Sequence, residues 1–191
     1  MQLSAAELAA LNAGNSVTML SPVITQPTPP TPPPASPGSG AVYANGNFYW
    51  PGDWSGSNTT LNYKDTVGNA PNEDLSFTSN GPWAYWLPYA PLVGGNPQIN
   101  LAPFHALQMS LKPTKPNQKW SVNLYKAGDV MIGTISDISV YGSAPVVGQW
   151  GVYTVPLSVL NGMGITAEKF LLQDQTGLTG NIFYINNVAF I

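Results

Sequence analysis

The densest group of side chains able to recognise another molecule lies at residues 82–90, which read PWAYWLPYA. In an extended strand Trp83, Tyr85 and Tyr89 project to one side and Trp86 to the other, so one side can anchor in a core while the other presents rings. Such rings do non-covalent chemistry. The apolar C–H faces of sugars lie flat on them, and neighbouring Asn, Gln and Asp side chains hydrogen-bond the hydroxyl rim. Trp50 and Trp54, in YWPGDWSGSN, extend the platform from a loop. The same rings equally suit a sandwich core or a subunit interface, and at this level the three readings stay open.

Covalent chemistry has little to work with. Beyond residue 40 the carboxylates are Asp53, Asp65, Glu73, Asp74, Asp129, Asp137, Glu168 and Asp174, with Glu7 before them. A glycosidase sets two carboxyl groups about 5–10 Å apart across a cleft, and no motif marks such a pair. Glu73 and Asp74 are adjacent and would point to opposite faces of a strand. His105 is the sole imidazole; it lacks companions for a zinc site and an elbow for a nucleophilic triad, so a structural, hydrogen-bonded role is expected. The absence of Cys removes disulfides and thiol nucleophiles together. No catalytic residues and no organic cofactor are expected. Calcium is the one metal the residue set suits, through oxygens of Asp53, Asp65, Asp174 and loop carbonyls.

Charged residues make up 8% of the chain, against about 25% in an average soluble domain. With 19 Gly, 19 Pro, 6 Trp, 9 Tyr and 6 Phe, the composition suits a turn-rich β protein with ample apolar surface to bury. All six basic residues are Lys and the net charge is −3, which is a poor match to a phosphate backbone, so no nucleic-acid partner is expected. No apolar run approaches the roughly 20 residues that span a bilayer, so no membrane insertion is expected. The first residues, MQLSAAELAALNAG, lack both a cationic start and an apolar run of leader length.

The elements that must position the rings read as short strands. Strand-like runs fall at about 42–50, 59–64, 75–79, 84–89, 106–112, 120–126, 130–140, 150–156, 169–173 and 182–191, separated by clusters of Gly, Pro and Asn. A brief helical turn is expected at 157–162. Residues 169–172 and 182–191 read as the two arms of a β-hairpin around the polar turn 173–181. In its second arm Phe183, Ile185, Asn187, Ala189 and Ile191 would share one face, with Ile182, Tyr184, Asn186, Val188 and Phe190 on the other. The predicted fold is all-β: an antiparallel β-sandwich, or jelly roll, over residues 41–191.

Two further segments precede it. Ser4 and Glu7 have capping-box spacing ahead of Leu8 and Leu11, and Gly14 ends the pattern, which predicts a short N-terminal helix within residues 1–25. Residues 26–40 hold seven prolines and no large apolar side chain, which predicts an extended spacer. Leu3, Leu8, Leu11, Met19 and Leu20 are the apolar anchors by which such an arm would dock on an assembly or on a neighbouring copy in a homo-oligomer.

Four segments, YANGNFYWPGDWSG, LQMSLKPTKPNQKWSVNLYK, APVVGQWGVYTVPLSVL and KFLLQDQTGLTGNIFYINNVAF, together resemble the galactose-binding-like jelly rolls of carbohydrate-binding-module type found in bacterial polysaccharide-active proteins and phage structural proteins. In such modules the last strand reads YIDNV, so Asn186 stands where an Asp is expected and a carboxylate ligand is lost. The resemblance implies a non-enzymatic protein with surface glycans as partners. Combined with the arm, it leads to the expectation of a phage virion surface or capsid decoration protein contacting virion proteins through residues 1–40. The rival expectation is an extracellular polysaccharide-binding module of a secreted glycan-degrading system. A small glycan hydrolase or lyase is the third.

Overall fold

The computed structural model describes residues 40–69 and 72–191. The helix expected near the N-terminus, most of the proline spacer, and the anchors Leu3, Leu8, Leu11, Met19 and Leu20 lie outside the described residues.

In chain order the strands are β1 (Ala41–Ala44), β2 (Asn47–Phe48), β3 (Gly52–Ser55), β4 (Thr59–Asp65), β5 (Asp74–Ser79) and β6 (Tyr85–Tyr89). Three short ones follow, β7 (Leu92–Val93), β8 (Asn96–Pro97) and β9 (Ile99–Asn100). Then come β10 (Ala106–Pro113), β11 (Trp120–Lys126), β12 (Val130–Ile135), β13 (Gly151–Pro156), β14 (Thr166–Ala167), β15 (Lys169–Asp174) and β16 (Asn181–Phe190). Among the described residues the only helical element is a 3-10 turn, Ile138–Tyr141. All pairings are antiparallel.

One sheet has seven strands: β13, β10 and β16 lie side by side, and β16 then pairs with both β1 and β5, which carry β2 and β4. The other runs β12-β11-β15-β6-β3. Alternation along the strands supplies the core between them. Leu107, Met109 and Leu111 of β10 are fully buried, as are Trp120, Val122 and Leu124 of β11. Rings fill both ends. Trp50 stacks on Phe190 and meets Phe170 edge-on, while Trp120 packs on Phe183 and Tyr153. Removing each such side chain from water contributes about 2–3 kcal/mol.

The structure corrects the expected C-terminal hairpin. β15 pairs with β11 and β6 in the five-stranded sheet, and β16 with β10, β1 and β5 in the other. Residues 175–180 therefore form an arch across the sandwich. Both strands are apolar because they face each other through the core, not because they bond side by side. The arch is tied internally: the Asp174 carboxylate accepts the Thr176 N–H and hydroxyl at 2.9 and 2.8 Å and the Asn181 side-chain amide at 2.9 Å.

The expected faces of β16 also change halfway. Asn187 has φ +48, and the register against β10 slips by one residue between the pairs Ser110↔Asn186 and Gln108↔Ala189. This bulge switches the buried set from Phe183 and Ile185 to Val188 and Phe190. Asn186 fastens it. Its side-chain oxygen accepts the Asn45 and Asn187 N–H groups at 2.9 and 2.8 Å, and its amide donates to the Asn45 side chain at 3.1 Å.

Three smaller expectations shift. The run 42–50 is a two-residue hairpin, because Asn45 and Gly46 both take positive φ, +46 and +76, as a tight turn demands. The run 130–140 ends at Ile135. Residues 157–162 close as a turn in which the Gly162 N–H donates to the Leu157 carbonyl at 2.8 Å.

Candidate carbohydrate-binding face

The outer face of the five-stranded sheet carries four rings that reach solvent, those of Trp54, Tyr85, Tyr89 and Tyr125. Core residues Trp86 of β6, Phe170 and Leu172 of β15, and Trp120, Val122 and Leu124 of β11 point inward, so their neighbours along each strand point out. Register then builds three rows. The first joins Tyr125, Lys169, Tyr89 and Gly52; the second Asn123, Leu171, Leu87 and Trp54; the third Ser121, Gln173 and Tyr85.

Trp54 and Tyr85 form one aromatic station. Trp54 is 60% exposed, and its ring meets that of Tyr85 edge-on at 6.1 Å. The Tyr85 ring lies over Gly56, where an added Cβ would sit 2.9 Å from it, so a side chain there would push the ring away. β3 is held to the sheet from within: the Trp86 indole donates to the Tyr63 hydroxyl at 2.9 Å, and Tyr63 in turn bonds the Asp53 carboxylate. Burial raises the pKa of Asp53, opposed by that hydroxyl.

Tyr89 and Tyr125 form a second station around Lys169. The Lys169 Nζ lies 4.7 Å from the Tyr89 ring centroid and 5.9 Å from that of Tyr125. It is ion-paired to Asp129 and, at 3.2 Å, to Glu168. Burial acts to lower the pKa of Lys169, and its bonds to Asp129, Glu168 and Tyr89 outweigh that and raise it. Burial likewise raises Tyr85, helped by Tyr89 and Tyr125. Amides line the remaining edge: Gln175 donates to the Ser121 hydroxyl at 2.7 Å and to the Gln173 side-chain oxygen at 2.9 Å.

Of the sequence-predicted platform, Trp54, Tyr85 and Tyr89 come together. Trp83 is 73% exposed at the turn before β6, with φ +63, and no ring contact joins it to Trp54 or Tyr85 among the described residues. Trp50 and Trp86 are corrected. Both are buried in the core, where no ligand ring can reach them. Tyr125, Lys169 and Gln173 were not singled out from sequence. Alternation in WSVNLYK and KFLLQD sets each on the polar side of its strand, but the adjacency of β11, β15 and β6 is not written in either segment.

The proposed calcium set does not assemble. Asp53 is engaged by Tyr63, Asp65 accepts the Val67 N–H at 2.7 Å within its own loop, and Asp174 is spent on the arch. Among the described residues no group of three or more His, Asp or Glu could hold a metal ion. His105 is exposed; its backbone N–H donates to the Ile191 carbonyl at 2.7 Å and its carbonyl accepts from Leu157 at 2.8 Å. No helix of the described residues is long and apolar enough to cross a membrane.

No family model and no curated protein matches the chain. Solved structures do match. A family 29 carbohydrate-binding module superposes with a TM-score of 0.50 at 13% identity, over 78% of this chain and 85% of that one. The fold is that of a carbohydrate-binding-module jelly roll. A variant of such a module complexed with cellulohexaose gives a TM-score of 0.51 at 13% identity, covering 78% of this chain and 87% of its own. Another, complexed with mannohexaose, gives 0.50 at 14%, covering 78% and 88%. In this chain the two aromatic stations share one face, and the seven-stranded sheet is the opposite layer.

Proposed function

We propose that this chain is a non-enzymatic glycan-binding module whose ligand is an elongated saccharide lying along the outer face of the five-stranded sheet. The observation that carries the reading is the exposed Trp54–Tyr85 pair continued by Tyr89 and Tyr125. Tyr85 and Tyr89 are four residues apart on one strand, about 13 Å at 3.3 Å per residue, so the face is longer than one sugar ring. Stacking at both ends and amide hydrogen bonds along one edge suit a chain. The complexes of similar modules with cellulohexaose and mannohexaose support the same class of ligand.

Hydrolysis is not supported by the carboxylates. Asp129 and Glu168, the two near the face, are both ion-paired to Lys169. Asp74, whose carboxyl burial pushes up to about 7, is sealed in the seven-stranded sheet.

The test is affinity electrophoresis of the full chain in gels containing neutral polysaccharides. Retardation that Trp54→Ala abolishes supports the reading. A folded protein retarded by no polysaccharide overturns it. We further propose display on a phage virion surface as a decoration protein, with residues 1–40 contacting virion proteins and many copies converting weak sites into avidity. Low charge and the helix-plus-spacer pattern support this; detection of the chain in purified particles, lost on deleting residues 1–40, tests it. The modules it resembles favour a second setting, an extracellular glycan-degrading system, in which the chain would be absent from particles.

A further inference from the structure

Lys169 is a buried cation on a face otherwise read as a sugar platform. Its side chain is 4% exposed. An ammonium carries three N–H donors, and three acceptors surround this one: Asp129, the Glu168 carboxylate at 3.2 Å and the Tyr89 hydroxyl at 3.4 Å. No donor is left for a ligand. The rings on either side, Tyr89 and Tyr125, are its direct cross-strand neighbours and lie within cation–π range. The backbone is stitched at the same point, since the Glu168 N–H donates to the Tyr125 carbonyl at 2.8 Å and its carbonyl accepts from Ala90 at 2.9 Å. Asp129 reaches Lys169 from the β11–β12 turn with φ +60 and is 81% exposed.

Resting on the glycan-binding reading above, we propose that Lys169 is a positioning and specificity residue: held by Asp129 and Glu168, it locks Tyr89 and Tyr125 into one rigid station selective for uncharged sugars. The rings bear on the ligand and Lys169 acts through them. Pre-ordered rings lose less freedom when a sugar stacks, which is where the affinity arises. Selectivity follows from the formal charge of the cluster, one cation and two carboxylates, or −1. A uronate or sulfate placed on this station meets uncompensated negative charge, and the saturated ammonium cannot answer it.

The test uses the full chain with cellohexaose, mannohexaose and hexagalacturonate, by titration calorimetry, with tyrosine near-UV circular dichroism as the report on ring order. Lys169→Met keeps the stem and removes the charge. It is expected to weaken the neutral hexaose that binds by about tenfold and to flatten the tyrosine signal. Asp129→Asn, at an exposed turn, is expected to cost about threefold without altering the fold, and decides the matter if Lys169→Met does not fold. In a background lacking both rings, Tyr89→Ala with Tyr125→Ala, Lys169→Met should add less than about twofold, because it acts through them. Neutral binding within about twofold of the unmutated chain in Asp129→Asn and in folded Lys169→Met overturns the positioning role, and hexagalacturonate bound as tightly as the neutral hexaoses overturns the selectivity. If the unmutated chain binds none of the hexaoses while Trp54→Ala still abolishes retardation by a polysaccharide, only this inference falls; if it binds no glycan at all, both readings fall.

Discussion

The Thr59 hydroxyl lies against the backbone of Tyr85, accepting its N–H at 2.9 Å and donating to its carbonyl at 3.1 Å. Thr59 belongs to the seven-stranded sheet and Tyr85 to the five-stranded one, so a single hydroxyl stands in for β3, whose last pair with β6 is Ser55↔Trp86. Thr59→Val keeps the shape and strips both bonds from a partly buried backbone. It should cost about 1–3 kcal/mol in urea denaturation and weaken glycan retardation with it, while Thr59→Ser restores both.

Trp50 and Trp54 should separate stability from binding. Trp50 sits against Phe170 and Phe190, so Trp50→Ala opens a cavity and is expected to cost about 3–5 kcal/mol. Trp54→Ala, at a site 60% exposed, should move the denaturation midpoint little and abolish retardation in a polysaccharide gel.

Trp83 holds φ +63 without being glycine. A bulky residue in that region is strained by about 1–2 kcal/mol. Trp83→Gly is therefore expected to be about 0.5–1 kcal/mol more stable than the unmutated chain, and Trp83→Ala no more stable. If Trp83 extends the glycan face, both substitutions lower affinity, so that binding and stability change in opposite directions in the glycine variant alone.

Asp74 sets a pH dependence. Burial, then the charge of Asp65, raises its carboxyl from the ordinary 3.8 to about 7, partly offset by Lys112. Between these two values the folded chain holds a proton that the unfolded chain has released. The stability from this group is therefore fully present below pH 3.8 and falls as the pH rises towards 7, by at most about 4 kcal/mol. Asp74→Asn should flatten that slope in denaturation curves taken at pH 5 and pH 7.5. An unchanged slope would place the carboxyl in contact with water.

Much of this fold was legible in the chain. Alternation in ALQMSLKP and WSVNLYK marks strands with one apolar face, and their lengths survive in β10 and β11. What failed, failed for physical reasons. Apolar residues on 169–172 and 182–191 say that both runs face a core but not whether they sit beside or across from each other. Asn187 breaks the two-residue period of β16 with a left-handed backbone that no propensity announces. Asn45-Gly46 did announce its turn and was hidden by the aromatic run around it. At the face, Trp54 looked like a loop residue because Gly and Asp precede it, whereas Gly52–Ser55 pairs with β6. Tyr125 and Lys169 are 44 positions apart in the chain and become neighbours only through register.

β16 bonds to β10, β1 and β5 at once, and Ala41 of β1 is in register with Ala189 of β16. During synthesis β1, already paired with β2, must therefore wait for 148 further residues, about 7–30 s at ribosomal speed, before its ladder with β16 can form. For that interval the nascent chain carries an unclosed sheet, and release of Phe190 from the ribosomal tunnel, not the order in which strands are made, times its closure.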